Sequence, residues 1–308
     1  MKLINSKVEI LEPTGYTIDD IYKQIEIAGR TCYKSEDKIT PTSAKEFVDR
    51  MIKSGHGAML EHGTVYLEFH VKDPSVVGEE EYHNQQAILN KLINKYSTNK
   101  YSVVKVNHYY DTAFITTNYR VLVENGWLED LKYICEPTVF HEKRISVRWT
   151  CDRGVSHEFV RHRVFSFAQE STRYCNYSKD KFGNELTFII PTWLTLPESN
   201  YTYCDGDWID ANKQVIQISE DEANIHSFLV TLECSEYQYT QLINNGWKPQ
   251  QARQILPNAL KTELVMTGFE SDWKHFFELR CDTAAHPDAR KLALELYNKL
   301  YNKEYGKE

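Results

Sequence analysis

The alternation of apolar and polar positions along the chain predicts a mixture of strands and helices. Residues 3–11 alternate as a strand, and Ile18–Ala28 carries a helical stripe. Ser43 followed by Glu46 forms a capping-box pattern that opens a helix, and Gly55 is placed to close it. Thr64–Val71 (TVYLEFHV) alternates and is rich in β-formers, so it reads as a strand, and Glu80–Lys95 reads as a helix. Residues 101–140 mix short strand-like and helix-like pieces. Arg144–Cys151 (RISVRWTC) is a strand, and the short helix expected after it carries SHEFVRHR. Leu186–Pro191 is a further strand. A long helix is expected over Glu220–Asn245, stopped by Gly246, and another opens at Lys248-Pro249 and runs through QQARQIL to Pro257. Leu260–Thr267 is strand-like, Ser271 is placed to cap a helix running DWKHFFELR, and Pro287 sits at the first turn of a terminal helix. Strands and helices follow one another without strict alternation. The expected class is therefore α+β, with a mixed or antiparallel central sheet flanked by helices, rather than a regular doubly wound fold.

Composition narrows this. The chain has 308 residues, 41% hydrophobic and 26% charged, which is enough apolar material for a real core and excludes disorder as the main state. No apolar run approaches the ~20 residues of a membrane span, and the start MKLINSKVEI lacks the apolar stretch of a secretory signal. No repeat and no Pro/Gly/Ser linker divides the chain, so a single domain over 1–308 is expected. Lys and Arg number 36 against 44 Asp and Glu, a net charge of −8 that disfavours a general duplex-DNA binder. The seven cysteines form no CxxC pair and read as reduced thiols of a cytoplasmic protein. No GxGxxG, GxxxxGK[ST] or GxSxG occurs where a dinucleotide, P-loop or hydrolase site would need it.

Against that acidic background the stretch 161–174, RHRVFSFAQESTRY, stands out. Of twelve arginines in the chain, three (Arg161, Arg163, Arg173) fall within it. Guanidinium groups fork onto carboxylate or phosphate oxygens, so a compact anion is the expected ligand. Ser171 and Thr172 add hydroxyl donors and Gln169 an amide able to read a ring edge. The bland alternative for any one arginine is a solvated surface, and most of the 20 Tyr, 13 Phe and 6 Trp must be packing residues. His157-Glu158-Phe159-Val160-Arg161-His162 is a near miss to the HExxH zinc motif. Its two histidines are five residues apart, roughly 140° around a helix, and cannot share one metal from one face. No metal site is expected.

The same stretch resembles the flavin-dependent thymidylate synthase family. Members carry Arg-His-Arg, seven intervening residues, then Ser-x-Arg-Tyr, matched here by Arg161-His162-Arg163 and Ser171-Thr172-Arg173-Tyr174. CDRGVSHEFVRHR (151–163), His56-Gly57-Ala58-Met59-Leu60-Glu61-His62, Ala252-Arg253-Gln254-Ile255-Leu256-Pro257, and TGFESDWKHFFELR (267–280) with AHPDAR (285–290) resemble further family blocks, in family order. Residues 73–140 and 194–245 look like expanded insertions. The family commonly has Asn-Glu at Ala168-Gln169 and Asn-x-Arg at Phe269-Glu270-Ser271.

The resemblance implies conversion of dUMP to dTMP, with methylenetetrahydrofolate as carbon donor and NADPH-reduced FAD as hydride source, in a homotetramer with shared active sites. By that resemblance dUMP meets Glu158, Arg161, Gln169, Glu170, Ser171, Thr172, Arg173, Arg253 and Arg280. FAD meets His56, Ala58, Arg161, His162, Arg163, Gln169 and His275. Arg280, Ser171 and Arg173 take the catalytic positions, with Arg280 at the uracil and no enzyme nucleophile. For His56 the structural alternative is a helix C-terminal cap after Gly55, and for His275 a partly buried helix histidine. A binding module of the same fold without turnover is the competing reading, motivated by positions 168, 169, 269 and 271.

Overall fold

In the computed structural model, which describes residues 1–179, 185–218, 222–302 and 305, the first expected strand is two strands. β1 (Lys2–Ile4) and β2 (Lys7–Ile10) belong to different sheets. The chain crosses between them at Asn5, whose backbone N–H donates to the Glu198 carboxylate at 2.6 Å. Helix α1 (Ile18–Tyr33) opens on a capping box between Thr17 and Asp20 and continues past Ala28. The continuation passes through Gly29, where a Cβ would lie 2.3 Å from the Phe47 ring. That glycine is there to let the next helix approach, not to end this one. Lys34, in left-handed conformation at φ 46°, is the true stop.

α2 (Ser43–Lys53) corrects the expected capping box. Ser43 is the first helical residue, and its hydroxyl donates to the buried Glu26 at 2.9 Å instead of capping the N3 amide. Gly55, at φ +71°, ends the segment as expected. Then follow α3 (Gly57–Leu60), β3 (Thr64–His70), α4 (Pro74–Val77), α5 (Glu79–Ser97), β4 (Val103–Asn107), β5 (Thr112–Asn118) and α6 (Tyr119–Asn125). β6 (Arg144–Asp152) alternates Val147, Trp149 and Cys151 into the core. The helix after it, α7 (Arg153–Phe159), stops before the motif, so Arg161, His162 and Arg163 lie in the turn beyond it and not on the expected helix. The helix buries Val155, Ser156 and Phe159, and a further turn would carry exposed Arg161 and Arg163 with it.

β7 (Ser166–Gln169), β8 (Thr187–Ile189), β9 (Ser199–Asn200), β10 (Thr202–Cys204) and β11 (Asp207–Ile209) are short. The long helix α8 spans Glu222–Asn244; Glu220 of the expected range lies outside the described residues. The helix expected from Lys248 to Pro257 is α9 (Pro249–Ala252) followed by a 3-10 turn, Arg253–Ile255. β12 (Lys261–Phe269), α10 (Glu270–Arg280) and α11 (Pro287–Tyr301) complete the chain. α10 is entered at Phe269, whose N–H donates to Asp272 at 3.2 Å, so Ser271 lies inside the first turn and is not the cap.

The fold is α+β, but its strands form several small sheets in place of one central sheet. β2-β6-β12-β7 is fully antiparallel, β3-β5-β4 likewise, β8-β1-β9 holds the parallel pair β1–β8, and β10-β11 is a hairpin. The four-stranded sheet positions the site. One face carries Trp149, Leu264 and Met266 against Phe159, Trp273, Phe276 and Leu292 from α7, α10 and α11. Burying each large aromatic contributes on the order of 2 kcal/mol. Gly268 on β12 admits the Phe165 ring, which a Cβ there would meet at 2.3 Å. The opposite face is thin: Ala28, Ala168 and Val265 bring α1 close to the sheet. No helix among the described residues is long and apolar enough to cross a membrane.

Candidate functional site

The segment from β6 to β7 is bent into place by local hydrogen bonds. Asp152 ends β6 and caps α7, its carboxylate accepting from Val155 N–H at 2.8 Å. Beyond Phe159 the chain turns, with His162 N–H donating to Phe159 O at 3.1 Å and Phe165 N–H to His162 O at 3.2 Å. Phe159 and Phe165 anchor the two ends in the core, so Arg161 and Arg163 are thrown outward while His162 is turned in.

Arg280, the last residue of α10, closes over this turn. Its Nε donates to His162 Nε2 at 2.9 Å, one terminal nitrogen donates to the Glu158 carboxylate, and the other to Glu158 O at 2.9 Å. Residues 122 positions apart are thus joined by a fork. His162 must present an unprotonated Nε2 to that donor. Burial first, then the charges of Arg280 and His275, push its pKa down to about 4, so the ring is neutral. The ring also lies 5.0 Å from Phe276. His275, one turn earlier, is exposed and sits 3.2 Å from Glu278.

β7 leads to the second part. Gln169 donates its amide to Ser156 Oγ at 2.8 Å and to Thr262 Oγ1 at 3.3 Å, so its N–H donors face the protein. Glu170 is turned further in. Its carboxylate, 1% exposed, takes the Tyr177 hydroxyl and the Lys261 ammonium, both at 2.9 Å. That leaves Glu170 no surface for a nucleotide: it holds the segment from beneath, a correction to its expected role in contacting dUMP. Lys261 also pairs with Glu263 at 2.7 Å, and Glu263 with Lys34 at 2.8 Å. Burial raises the Glu263 pKa, but Lys261 and Lys34 outweigh it and lower the value to about 2.

Ser171 N–H donates to Cys32 O at 3.1 Å, and Tyr174 and Cys175 N–H both return to Ser171 O, which makes 171–175 a tight turn at the end of α1. Thr172 is buried and its hydroxyl accepts from Arg253 at 3.4 Å. Arg173 is exposed, its guanidinium 5.3 Å from the Tyr174 ring centroid. Tyr174 neighbours Tyr33 at 5.8 Å, and the Tyr33 hydroxyl lies 3.0 Å from His56 Nδ1. His56 stands at the entry of α3 with Ala58 exposed two residues on.

The expected residues therefore fall into two groups. Arg280, Glu158 and His162 meet at one; Ser171, Thr172, Arg173 and Arg253 meet at the other, with His56 joined through Tyr33 and Tyr174. Arg161, Arg163 and Arg173 are exposed and form no ion pair with the described residues. Three uncompensated cations in an acidic chain suit phosphate and pyrophosphate oxygens. Sequence reasoning missed Tyr33 and Lys261. Tyr33 lies beyond Ala28, where the expected helix stops, and Lys261 is seen to matter only once β12 is laid beside β7. Among the described residues no group of three His, Cys, Asp or Glu could hold a metal ion.

A family model described as thymidylate synthase complementing protein matches residues 117–303. Curated relatives named flavin-dependent thymidylate synthase include that of Geobacter sulfurreducens, 28% identical over 144 residues (47% of this chain, 50% of the relative). That of Pyrococcus furiosus is 29% identical over 146 residues (47% and 49%). That of Corynebacterium aurimucosum is 22% identical over 274 residues (88% and 72%). The matches to the first two span about half the length of those relatives. Among solved structures, the UMP/dUMP methylase PolB from Streptomyces cacaoi bound with 5-Br dUMP aligns over 98% of this chain and 93% of that one, at 14% identity and a TM-score of 0.43.

Proposed function

We propose that the chain, which belongs to the thymidylate synthase complementing protein family, catalyses the reductive methylation of dUMP to dTMP with methylenetetrahydrofolate as carbon donor and NADPH as reductant. The observation that carries the reading is the fork of Arg280 onto Glu158 and His162, which unites a C-terminal helix with the Arg-His-Arg turn. The names of the relatives support the same chemistry.

In this reading the exposed guanidiniums of Arg161, Arg163, Arg173 and Arg253 hold phosphate groups of dUMP and FAD, and Ser171 and Thr172 complete the grip. FAD, when bound, supplies the hydride. Arg161, Arg163 and the His56–Tyr33–Tyr174 surface fit it, since they combine unpaired positive charge with exposed aromatic faces. Ala58, His162, Gln169 and His275 stand by resemblance as its further contacts. Arg280 has five N–H donors and spends three on Glu158 and His162. The remaining two are available to a uracil oxygen, where a guanidinium stabilises developing negative charge. Glu158 orients Arg280 and the dUMP sugar or base. No protein nucleophile is needed.

The same reading treats 1–308 as one domain with additions at about 73–140 and 194–245, assembled as a homotetramer. Exposed Val164 beside the motif and exposed Trp247 and Ile255 flanking Arg253 support a subunit contact there. All seven cysteines are free, in keeping with the cytoplasm.

The test is a single assay on the purified full chain with FAD, dUMP, methylenetetrahydrofolate and NADPH. The expected result is dTMP formation that falls about 100-fold or more in Arg280→Ala, the order seen for loss of one oxyanion donor. Tight dUMP binding without product in the wild type would instead identify a binding module.

A further inference from the structure

Helix α3, which with His56 forms one side of the surface proposed above for FAD, is a single turn, and Leu60 is its one buried residue. A lone helical turn has no stability of its own, because it fixes several backbone dihedrals for very few hydrogen bonds. Its position is therefore set by what holds it from outside. Before the turn, His56 N–H donates to Met51 O at 2.9 Å. After it, Glu61 O accepts from Arg144 at 3.0 Å, and His62 Nδ1 lies 2.8 Å from Thr267 Oγ1. A further hold comes from α6, and the reaction proposed above does not use it.

α6 is a firm base. Asn118 caps it, its side chain accepting from Val121 N–H at 3.2 Å, and Tyr119, Val121 and Leu122 are buried. Tyr119 N–H donates to Gly63 O at 2.8 Å, and its hydroxyl lies 3.1 Å from that of Tyr22 on α1. From this base Arg120 forks between two helices. Its Nε donates to Glu124 on α6 at 2.7 Å, and a terminal nitrogen donates to the Glu61 carboxylate just past the end of α3. The start of α3 lies against the same group: a Cβ on Gly57 would stand 3.1 Å from Arg120 Nε and 3.2 Å from Glu124 Oε1. One guanidinium thus meets both ends of the turn, and it fixes its direction as well as its distance because the fork is planar.

We propose that Arg120 is a positioning residue for the flavin: it holds α3, and with it His56 and Ala58, in the place that receives FAD, without touching the cofactor or dUMP. The proposal rests on the reading of the His56–Tyr33–Tyr174 surface as the cofactor surface. It separates the two ligands, because the Ser171 turn is tied to Cys32 and Arg253 and not to α6. It also separates binding from folding. The Arg120 and Glu61 side chains are 36% and 25% exposed, and ion pairs at that exposure add little to global stability. Loss of the pair is therefore read in cofactor affinity and not in the melting temperature.

The test titrates the full chain with FAD alone, followed by fluorescence quenching, and with dUMP alone, followed by calorimetry. Four variants are compared with the wild type: Arg120→Met, Glu61→Met, the two combined, and Arg120→Lys. Met keeps an unbranched chain beside Gly57 and removes every donor, whereas Lys keeps a cation within reach of Glu61. The FAD dissociation constant should rise about 5- to 10-fold in each Met variant and no further in the double variant, since one contact is lost in all three. Arg120→Lys should stay within about threefold of the wild type. The dUMP dissociation constant should change less than about twofold, and melting temperatures should stay within about 2 °C. Unchanged FAD affinity in both single variants overturns the proposal while the cofactor reading stands. So do equal losses for FAD and dUMP, or losses that multiply in the double variant. A wild type that binds no FAD overturns the cofactor reading and this proposal together.

Discussion

Arg280 donates from Nε to His162 Nε2 across 2.9 Å, so the imidazole of the Arg-His-Arg turn acts as an acceptor and is held as the Nδ1–H tautomer. Protonation of His162 destroys this arrangement, because it puts a second donor and a second charge against the guanidinium.

The pH dependence follows in sign. His162 has its pKa lowered in the folded chain to about 4 from an ordinary 6.5. Its contribution to stability is therefore complete above about pH 6.5 and is lost as the pH falls towards 4, up to roughly 3 kcal/mol. Thermal melts of wild type and His162→Gln between pH 7.5 and 4.5 measure this. The wild type should lose more stability than the variant over that window; parallel losses would remove the assignment.

Lys261→Met should be among the most damaging single changes in the sheet. It strands the Glu170 carboxylate, 1% exposed, with only the Tyr177 hydroxyl, and it removes one of the two lysines bound to Glu263. Breaking a buried pair from one side costs about 3–5 kcal/mol. Urea unfolding should show that loss, and dUMP binding should weaken with it because Glu170 directly precedes the Ser171 turn. Lys261→Met combined with Glu170→Gln should recover part of the stability.

How far the sequence foretold all this depends on whether a feature is local. The strand at Arg144–Asp152 was legible because Val147, Trp149 and Cys151 alternate into the core, and that at Lys261–Phe269 because it is a short run of β-formers buried on both faces at its middle. The arginine cluster was legible because arginine is scarce in this chain. What escaped depended on contacts between distant segments. The first helix is expected only over Ile18–Ala28, and its continuation runs through Gly29, a point of helix contact with Phe47. Glu170 reads as a ligand and is a buried counter-ion, because Lys261 faces it only after β12 and β7 pair. The break of 3–11 into two strands follows from the separate partners β8 and β6, which no local pattern encodes.

Thr172→Val tests the link between the turn and Arg253. The substitution keeps the β-branched shape of a buried side chain and removes the acceptor that the Arg253 guanidinium has among the described residues, at 3.4 Å. A bond of that length contributes little, so stability should change by less than about 1 kcal/mol. Arg253 loses its orientation, however, and the affinity for dUMP should drop about 3- to 10-fold with little change in turnover at saturation. A fall in turnover with unchanged affinity would place Arg253 elsewhere in the reaction.

Tyr33→Phe isolates the contact between the 56–62 segment and the Ser171 turn. The Tyr33 hydroxyl lies 3.0 Å from His56 Nδ1, while its ring, 5.8 Å from that of Tyr174, stays in place in the variant. Both partners are at the surface, so water replaces the lost hydrogen bond and the melting temperature should stay within about 1 °C. His56 then loses the group that fixes its ring. If this surface receives the flavin, the FAD dissociation constant measured by fluorescence quenching should rise about 3- to 10-fold in Tyr33→Phe. Tyr33→His, which retains a polar ring, should recover part of it. Unchanged FAD affinity in Tyr33→Phe and in His56→Ala would remove this surface from the cofactor site and leave Arg161 and Arg163 to hold the flavin phosphates.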